Sequence, residues 1–383
     1  MTLLLDFYKV DMVSNKEISK VDGFRFLNHL HTTARQLRIC SQITLELNNS
    51  QKLRISLRDS LINWSLKKEE NNIQYLNSKG KLTNKKKTTT AFEHYLDLCK
   101  SLGLINDFNG LFANSRLSYI LIHFLSKRDF DFELGQAEKY FYLYLLLMND
   151  ADGLFLVLNM LAKEENNQQS LQNIFRESLN DRLIIKSNLS SNYVKATINE
   201  KYRSINYIWR KPEKYAEHLL IPRCEWLNQL GLVSIEKLKG STFYSISGKG
   251  NTMLDLLPRL INTDLVDMDE DWMLDNIFTI FPKVYPEDFS CKVDYYGDQF
   301  ITYLGQSIEK AIGVVKSSNL FRIPFFDSLL FVCLDMLVVN NIVVNFSDIN
   351  KLLTNGLTFN GRLYLMKTFG RVNESYITTR PAL

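Results

Sequence analysis

Cysteine is sparse and scattered in this chain. Cys40, Cys99, Cys224, Cys291 and Cys333 are odd in number, and no CxxC pair or Cys/His cluster occurs. The pattern argues against a disulfide framework and a structural zinc site, and it reads as buried thiols in a reducing compartment. Histidine is as scarce: His29, His31, His94, His123 and His218 are the full set, and the one close pair, two residues apart, would point to different sides of a helix. Glycine never forms a GxxxxGK[ST] loop, because Gly240 and Gly248-Lys249 are too far apart and Asn251 follows. There is no GxSxG elbow, and no Asp or Glu stands two positions before a lysine, the spacing two-metal nucleases use. These absences predict a non-catalytic protein with no cofactor and no metal.

Long apolar runs are also missing. The two most apolar stretches, Phe141 to Leu161 and Phe325 to Val344, are broken by Asn149-Asp150-Ala151-Asp152-Gly153 and by Asp327, Asp335, Asn340 and Asn341. They read as buried helices or a helical hairpin, with no membrane partner. The first residues, Met-Thr-Leu-Leu-Leu-Asp-Phe-Tyr-Lys, lack the basic and apolar regions of a signal peptide, so the expected location is cytoplasmic.

A chain of 383 residues that is 45% hydrophobic can bury more than one core. Its net charge is only +4, but the charge is unevenly placed. Residues 1–100 hold 17 basic against 10 acidic side chains and residues 180–250 hold 12 against 6, whereas residues 251–300 hold 3 against 11. The basic excess falls where a polyanion would be met. The acidic run from Asp264 to Asp298 has no calcium-loop spacing and reads as a solvated linker or an acidic docking face.

Residues 219–257 carry the strongest local pattern. Ile221, Cys224, Leu227 and Leu230 recur at spacings of three and predict one buried helical stripe, with Arg223, Asn228 and Gln229 outward and Glu225 and Trp226 outward or sideways. Gly231 ends that helix, Leu232 to Leu238 and Phe243 to Ile246 form a two-stranded ribbon, and Ser247-Gly248-Lys249-Gly250 opens the next helix. This segment resembles the winged helix-turn-helix superfamily. There an LGLV-type corner follows the recognition helix and a YxLTxxG pattern closes the wing, matched here by Tyr244-Ser245-Ile246-Ser247 and Gly250. The resemblance implies that Arg223, Asn228 and Gln229 contact base edges or phosphates, and that Lys237, Lys239 and Lys249 contact phosphates from the wing.

A second copy is predicted upstream. Ala91 to Leu102 has helical period and ends at Gly103, the LGLI corner parallels LGLV, Asn109-Gly110 is a hairpin signal, and Ser115 to Leu125 trails as a helix. Its outward Glu93, His94 and Asp97 suit a protein surface better than phosphate. Lys85, Lys86 and Lys87 lie in a Lys/Asn/Thr-rich stretch, residues 67–90, that is either a solvated loop or an arm tracking phosphates. Arg203, Arg210, Lys211 and Lys214 alternate with Tyr202, Tyr207 and Trp209, as basic residues do where rings stack on bases, and also where long side chains snorkel over a packed helix. Residues 23–39 read as a helix, and residues 43–47 and 53–57 as strands of a hairpin.

The sequence therefore predicts a mainly α fold with small β-ribbons. Its expected parts are an N-terminal α/β segment at 1–60, a winged unit with a basic loop at 61–128, a helical hairpin at 129–170, a winged helix at 171–258 and a helical scaffold at 259–383. The expected partner is double-stranded DNA, with a protein partner or a second copy through the C-terminal region. The alternative is a protein-interaction scaffold subunit of a larger DNA-processing or defence complex.

Overall fold

The computed structural model of the protein describes residues 24–48, 50–71, 82–84, 87–88, 90–125, 133–163, 166–189, 192–257, 270–289, 298–315, 322–369 and 374–382. Helices dominate, and the sheets are small and antiparallel. In chain order the elements are α1 (Leu37–Glu46), β1 (Lys52–Leu53), α2 (Arg54–Asn71), β2 (Thr83–Asn84), β3 (Lys87–Thr88), α3 (Ala91–Ser101), β4 (Ile105–Phe108), β5 (Leu111–Asn114) and α4 (Arg116–Phe124). Next come α5 (Gln136–Lys163), β6 (Asn166–Asn167), α6 (Gln168–Leu189), α7 (Asn192–Arg203), a π-helical turn (Ser204–Ile208), α8 (Pro212–Gln229), β7 (Val233–Leu238), β8 (Ser241–Ile246) and α9 (Gly248–Leu256). The last part holds α10 (Glu270–Val284), α11 (Asp298–Val314), β9 (Arg322–Pro324), α12 (Phe325–Asn340), α13 (Phe346–Asn355), β10 (Leu357–Phe359), β11 (Arg362–Phe369) and β12 (Glu374–Pro381).

One topology occurs three times: helix, short strand, further helix, pre-ribbon helix, ribbon. The first copy runs from α1 to α4 with strand order β1-β5-β4, and the second from the end of α5 to α9 with order β6-β8-β7. The third runs from α11 to β12 with order β9-β12-β11, and β10 is added on the outer edge. In each, the first strand pairs with the last, so the ribbon is tied back to the helices that precede it.

The first two corners are built alike, and glycine is the reason. Gly103 and Gly231 have φ of 70° and 74°, a region that costs an L side chain its Cβ clearance. Gly103 N–H donates to Lys100 O at 2.9 Å and Leu104 N–H to Cys99 O at 2.9 Å; Gly231 donates to Asn228 O at 2.8 Å and Leu232 to Leu227 O at 2.8 Å. Both are Schellman ends, which satisfy the last carbonyls of a helix while turning the chain into a strand. The ribbons then close on serine caps: Ser115 Oγ accepts from Ser118 N–H, and Ser247 Oγ from Gly250 N–H.

Several local expectations are corrected. Residues 43–46 and 54–57 are helical, because Ile39, Ile43 and Leu47, and likewise Leu57 and Leu61, recur four apart and bury one stripe. Residues 24–36 are irregular rather than helical, with a turn closed by Ala34 N–H on His31 O at 2.9 Å, and the helix begins at Leu37. In place of the expected hairpin with its bend at Asp150 to Gly153, α5 is two helical stretches joined at a kink, where Asp150 has φ −143° and ψ 22°. The C-terminal third is not wholly helical: β11 and β12 pair from Arg362↔Pro381 to Phe369↔Glu374, after Asn360 and Gly361 at positive φ turn β10 into β11.

The chain folds as two compact units, each discontinuous in sequence. One comprises residues up to Arg35 with Leu145–Asp269, the other Gln36–Tyr144 with Glu270–Leu383. Within the second, the first and third copies meet through Arg116 Nη1 and Asp327 Oδ2 at 3.7 Å and through the His123 and Phe331 rings at 4.9 Å. Among the described residues one helix, α5, is long and apolar enough to cross a membrane, and 89% of that apolar window is buried inside the protein.

Candidate nucleic-acid interface

The helix before the second ribbon, α8, is the natural place to look for a groove-reading surface, and the structure covers it. The irregular segment 24–35, from the same unit, lies along α8. Trp226 Nε1 donates to Ala34 O at 3.0 Å, Gln229 Nε2 to Arg35 O at 2.5 Å, and Arg35 Nη1 pairs with Glu225 Oε1 at 3.1 Å. Thr32 N–H donates to His218 Nδ1 at 3.4 Å, and the His31 and His218 rings stack at 4.3 Å.

Arg223, expected to point outward, is completely buried. Its Nε donates to Asp150 Oδ2 at 2.8 Å and its Nη2 to Asp150 Oδ1 at 2.6 Å, a two-pronged pair. The same guanidinium donates to Leu219 O at 2.6 Å and Leu27 O at 2.9 Å, and it lies 4.1 Å over the Phe26 ring. Asp150 also accepts from Leu27 N–H at 2.8 Å. Burial pushes the Asp150 carboxyl up, and the Arg223 charge and hydrogen bonds offset part of that push. Asp152 completes the anchor, accepting from Arg25 N–H at 3.0 Å and Arg182 Nη2 at 2.7 Å, with Lys186 Nζ at 3.6 Å. The polar break in the apolar run of α5 is thus the socket that holds both α8 and its cover. Lys201 sits at the edge of this socket, 4.4 Å over Phe26. Burial first, and the Arg223 charge second, lower its pKa to about 7.

The remaining expected contacts divide by exposure. Trp226 is wholly buried, Glu225 and Gln229 are half-buried, and Asn228 is exposed but its Nδ2 donates to Val233 O at 2.9 Å, bracing the corner. Lys237 and Lys239 are exposed on the ribbon, where Lys239 and Gly240, at φ 47° and 84°, form its tip. Lys249 is half-buried at the start of α9. Arg210 and Lys211 are exposed immediately before α8. Lys85 and Lys86 lie outside the described residues, and of Lys87 only the backbone, in β3, is described. The structure therefore brings Lys237 and Lys239 together on one exposed ribbon and takes Arg223 out of the surface altogether.

The other two pre-ribbon helices differ from α8. On α3, Glu93 pairs with Arg54, and Asp97 with Lys100 at 2.9 Å. On α13, Phe346, Ile349 and Leu353 face the core while Lys351, Thr354 and Asn355 are exposed. This polar stripe was missed in the sequence, although Asn345 as N-cap and the four-residue spacing of Ile349 and Leu353 were there to read. Among the described residues, no group of three or more His, Cys, Asp or Glu side chains converges as a metal site requires. No family model, curated protein or solved structure matches the chain.

Proposed function

We propose that this protein is a non-catalytic nucleic-acid-binding protein assembled from winged-helix-like modules, and that it holds double-stranded DNA chiefly by its phosphates. The observation that carries the reading is the β7–β8 ribbon, tied through β6 to the helices before it and presenting Lys237 and Lys239 to solvent, with no ion pair to either among the described residues. A ribbon of this kind lies along a phosphate backbone. With α8 covered, groove contacts fall to α13, whose Lys351, Thr354 and Asn355 combine a cation with hydrogen-bonding side chains that can meet base edges.

The test is duplex affinity as a function of salt. Each phosphate contact contributes about 0.9 to the slope of log K against log salt, so Lys237→Ala with Lys239→Ala should lower the slope by roughly 1 to 2. Lys351→Ala should weaken binding and lower the slope by about 1. An unchanged slope in both variants, or no duplex binding by the intact chain at low salt, sinks the proposal. The second reading, an interaction scaffold, is favoured by the cover on α8 and by exposed Leu238 at the ribbon tip. A partner that stays bound at high salt and is lost in Leu238→Ser would support it.

A further inference from the structure

The turn between α7 and α8 has features that duplex binding by the ribbon does not use. It is firmly anchored from below. Ile205 is buried, and Asn206 and Asn180 exchange reciprocal amide hydrogen bonds of 3.0 Å. Arg176 Nη2 donates to Asn206 Oδ1 at 3.2 Å, Asn206 Nδ2 donates to Tyr202 O at 2.9 Å, and Trp209 N–H closes the π-helical turn on Ser204 O at 3.1 Å. Single π turns of this sort recur at functional positions.

On this base the chain displays what a folded protein ordinarily hides. Tyr207 is 82% exposed and Ile208 67%. Beside them Trp209 stacks on Tyr215, with centroids 5.1 Å apart and planes within 15°, and Tyr215 is itself 45% exposed. Arg203, Arg210, Lys211 and Lys214 are all exposed, and none makes an ion pair among the described residues. Between residues 203 and 215 they face a single carboxylate, Glu213.

We infer that this turn is a docking surface for single-stranded nucleic acid. Unpaired cations repel one another and call for an anionic occupant, whereas exposed rings call for flat apolar faces. A single strand offers both at the spacing of successive nucleotides. An intact duplex offers the phosphates but keeps its base faces stacked inside, and an apolar protein surface leaves the four cations unmatched. Tyr207 stacks on one base and the Trp209–Tyr215 pair on another, while Arg203, Arg210, Lys211 and Lys214 follow the backbone. The inference extends the nucleic-acid reading to another strand form and another surface.

The test titrates the full chain into labelled oligothymidylate and, in parallel, into a labelled duplex, following anisotropy at several salt concentrations. Tyr207→Ala should weaken oligothymidylate binding roughly ten-fold, Tyr207→Phe should retain it, and both should leave duplex affinity unchanged. Arg210→Ala with Lys211→Ala should lower the salt slope for the single strand by roughly 1. Tyr207 is exposed, so its variants should melt like the parent protein. If Tyr207→Ala leaves oligothymidylate affinity unchanged, or weakens duplex and single strand alike, the inference falls. If the chain binds duplex but not oligothymidylate, it falls while the ribbon reading stands; if it binds neither, both fall. Loss of a co-purifying protein in Tyr207→Ala, without change toward oligothymidylate, would assign the surface to a protein partner and overturn it.

Discussion

Arg223→Ala is the substitution that separates a reading side chain from a structural one. In the structure the guanidinium makes four hydrogen bonds, two to Asp150 and two to the carbonyls of Leu219 and Leu27, with no exposure to water. Removing it leaves Asp150 buried, with the hydrogen bond from Leu27 N–H still in place. Deleting one partner of a buried pair costs about 3–5 kcal/mol, because the other charge stays behind unmatched. The two orphaned carbonyls add to this, though not additively. Against a typical total stability of about 5–15 kcal/mol, the loss is a large fraction.

Urea unfolding of the intact chain reads the cost directly, and a second measurement locates it. Segment 24–35 is held partly through Leu27, so limited proteolysis should cut it faster in Arg223→Ala than in the parent. Asp150→Asn should destabilise too. Arg223→Met combined with Asp150→Leu should be milder than Arg223→Ala, because the double replacement leaves no buried charge. A base-contacting arginine behaves in the opposite way, with stability intact and DNA affinity reduced. Stability within about 1 kcal/mol of the parent, together with unchanged proteolysis, would refute the buried-socket account.

Four further substitutions test the rest of the frame. A methyl on Gly250 would collide with the backbone carbonyl of Leu232 and with Ile246, so Gly250→Ala should cost roughly 1–3 kcal/mol by urea melt, whereas Gly248→Ala, with open space around it, should be near neutral. Ser247→Ala removes the cap that satisfies Gly250 N–H and should cost about 1 kcal/mol, read the same way. Lys201 gives a pH signature: its pKa in the folded protein is about 7 against an ordinary 10.5, so between those values the unfolded chain holds the proton that the folded one has released. Its penalty is full below pH 7 and fades as pH rises toward 10.5. Stability should therefore increase by about 2 kcal/mol from neutral pH to pH about 9, and Lys201→Met should remove that increase. A flat profile in the parent protein would show that Lys201 is solvated.

What the sequence made legible was the short-range geometry. The two Leu-Gly-Leu corners are turned by Gly103 and Gly231, and the ribbons and the capping role of Ser247 follow from residues within a few positions of one another. Long-range cover was not legible. The spacing of Ile221, Cys224, Leu227 and Leu230 marks one buried stripe of α8, but nothing local says that Ala34 and Arg35 will cap the other side. Trp226 was the available hint, since a tryptophan on the supposed outer side of a helix asks for a cover. The C-terminal ribbon was overlooked for another reason. The expectation of a helical scaffold at 259–383 follows the apolar helices earlier in that region, while the alternating Tyr, Ile and Thr of Glu374–Pro381 and the Asn360-Gly361 turn are ordinary strand and hairpin signals.

The threefold recurrence of one topology shifts where function must be sought. Within each copy the helix before the ribbon starts from the same place, yet one neutralises its acids with neighbouring cations, one is covered by the irregular segment 24–35, and one keeps the polar stripe of Lys351, Thr354 and Asn355 exposed. The backbone arrangement alone therefore does not assign a role to any of them. The environment of each pre-ribbon helix narrows the choice, because a side chain with no solvent exposure, held by four hydrogen bonds inside the protein as Arg223 is, cannot reach a ligand. By that criterion the socket residues Asp150, Asp152, Arg182 and Arg223 answer to stability, whereas the proposed binding rests on the exposed Lys237, Lys239, Lys351 and Tyr207 turn.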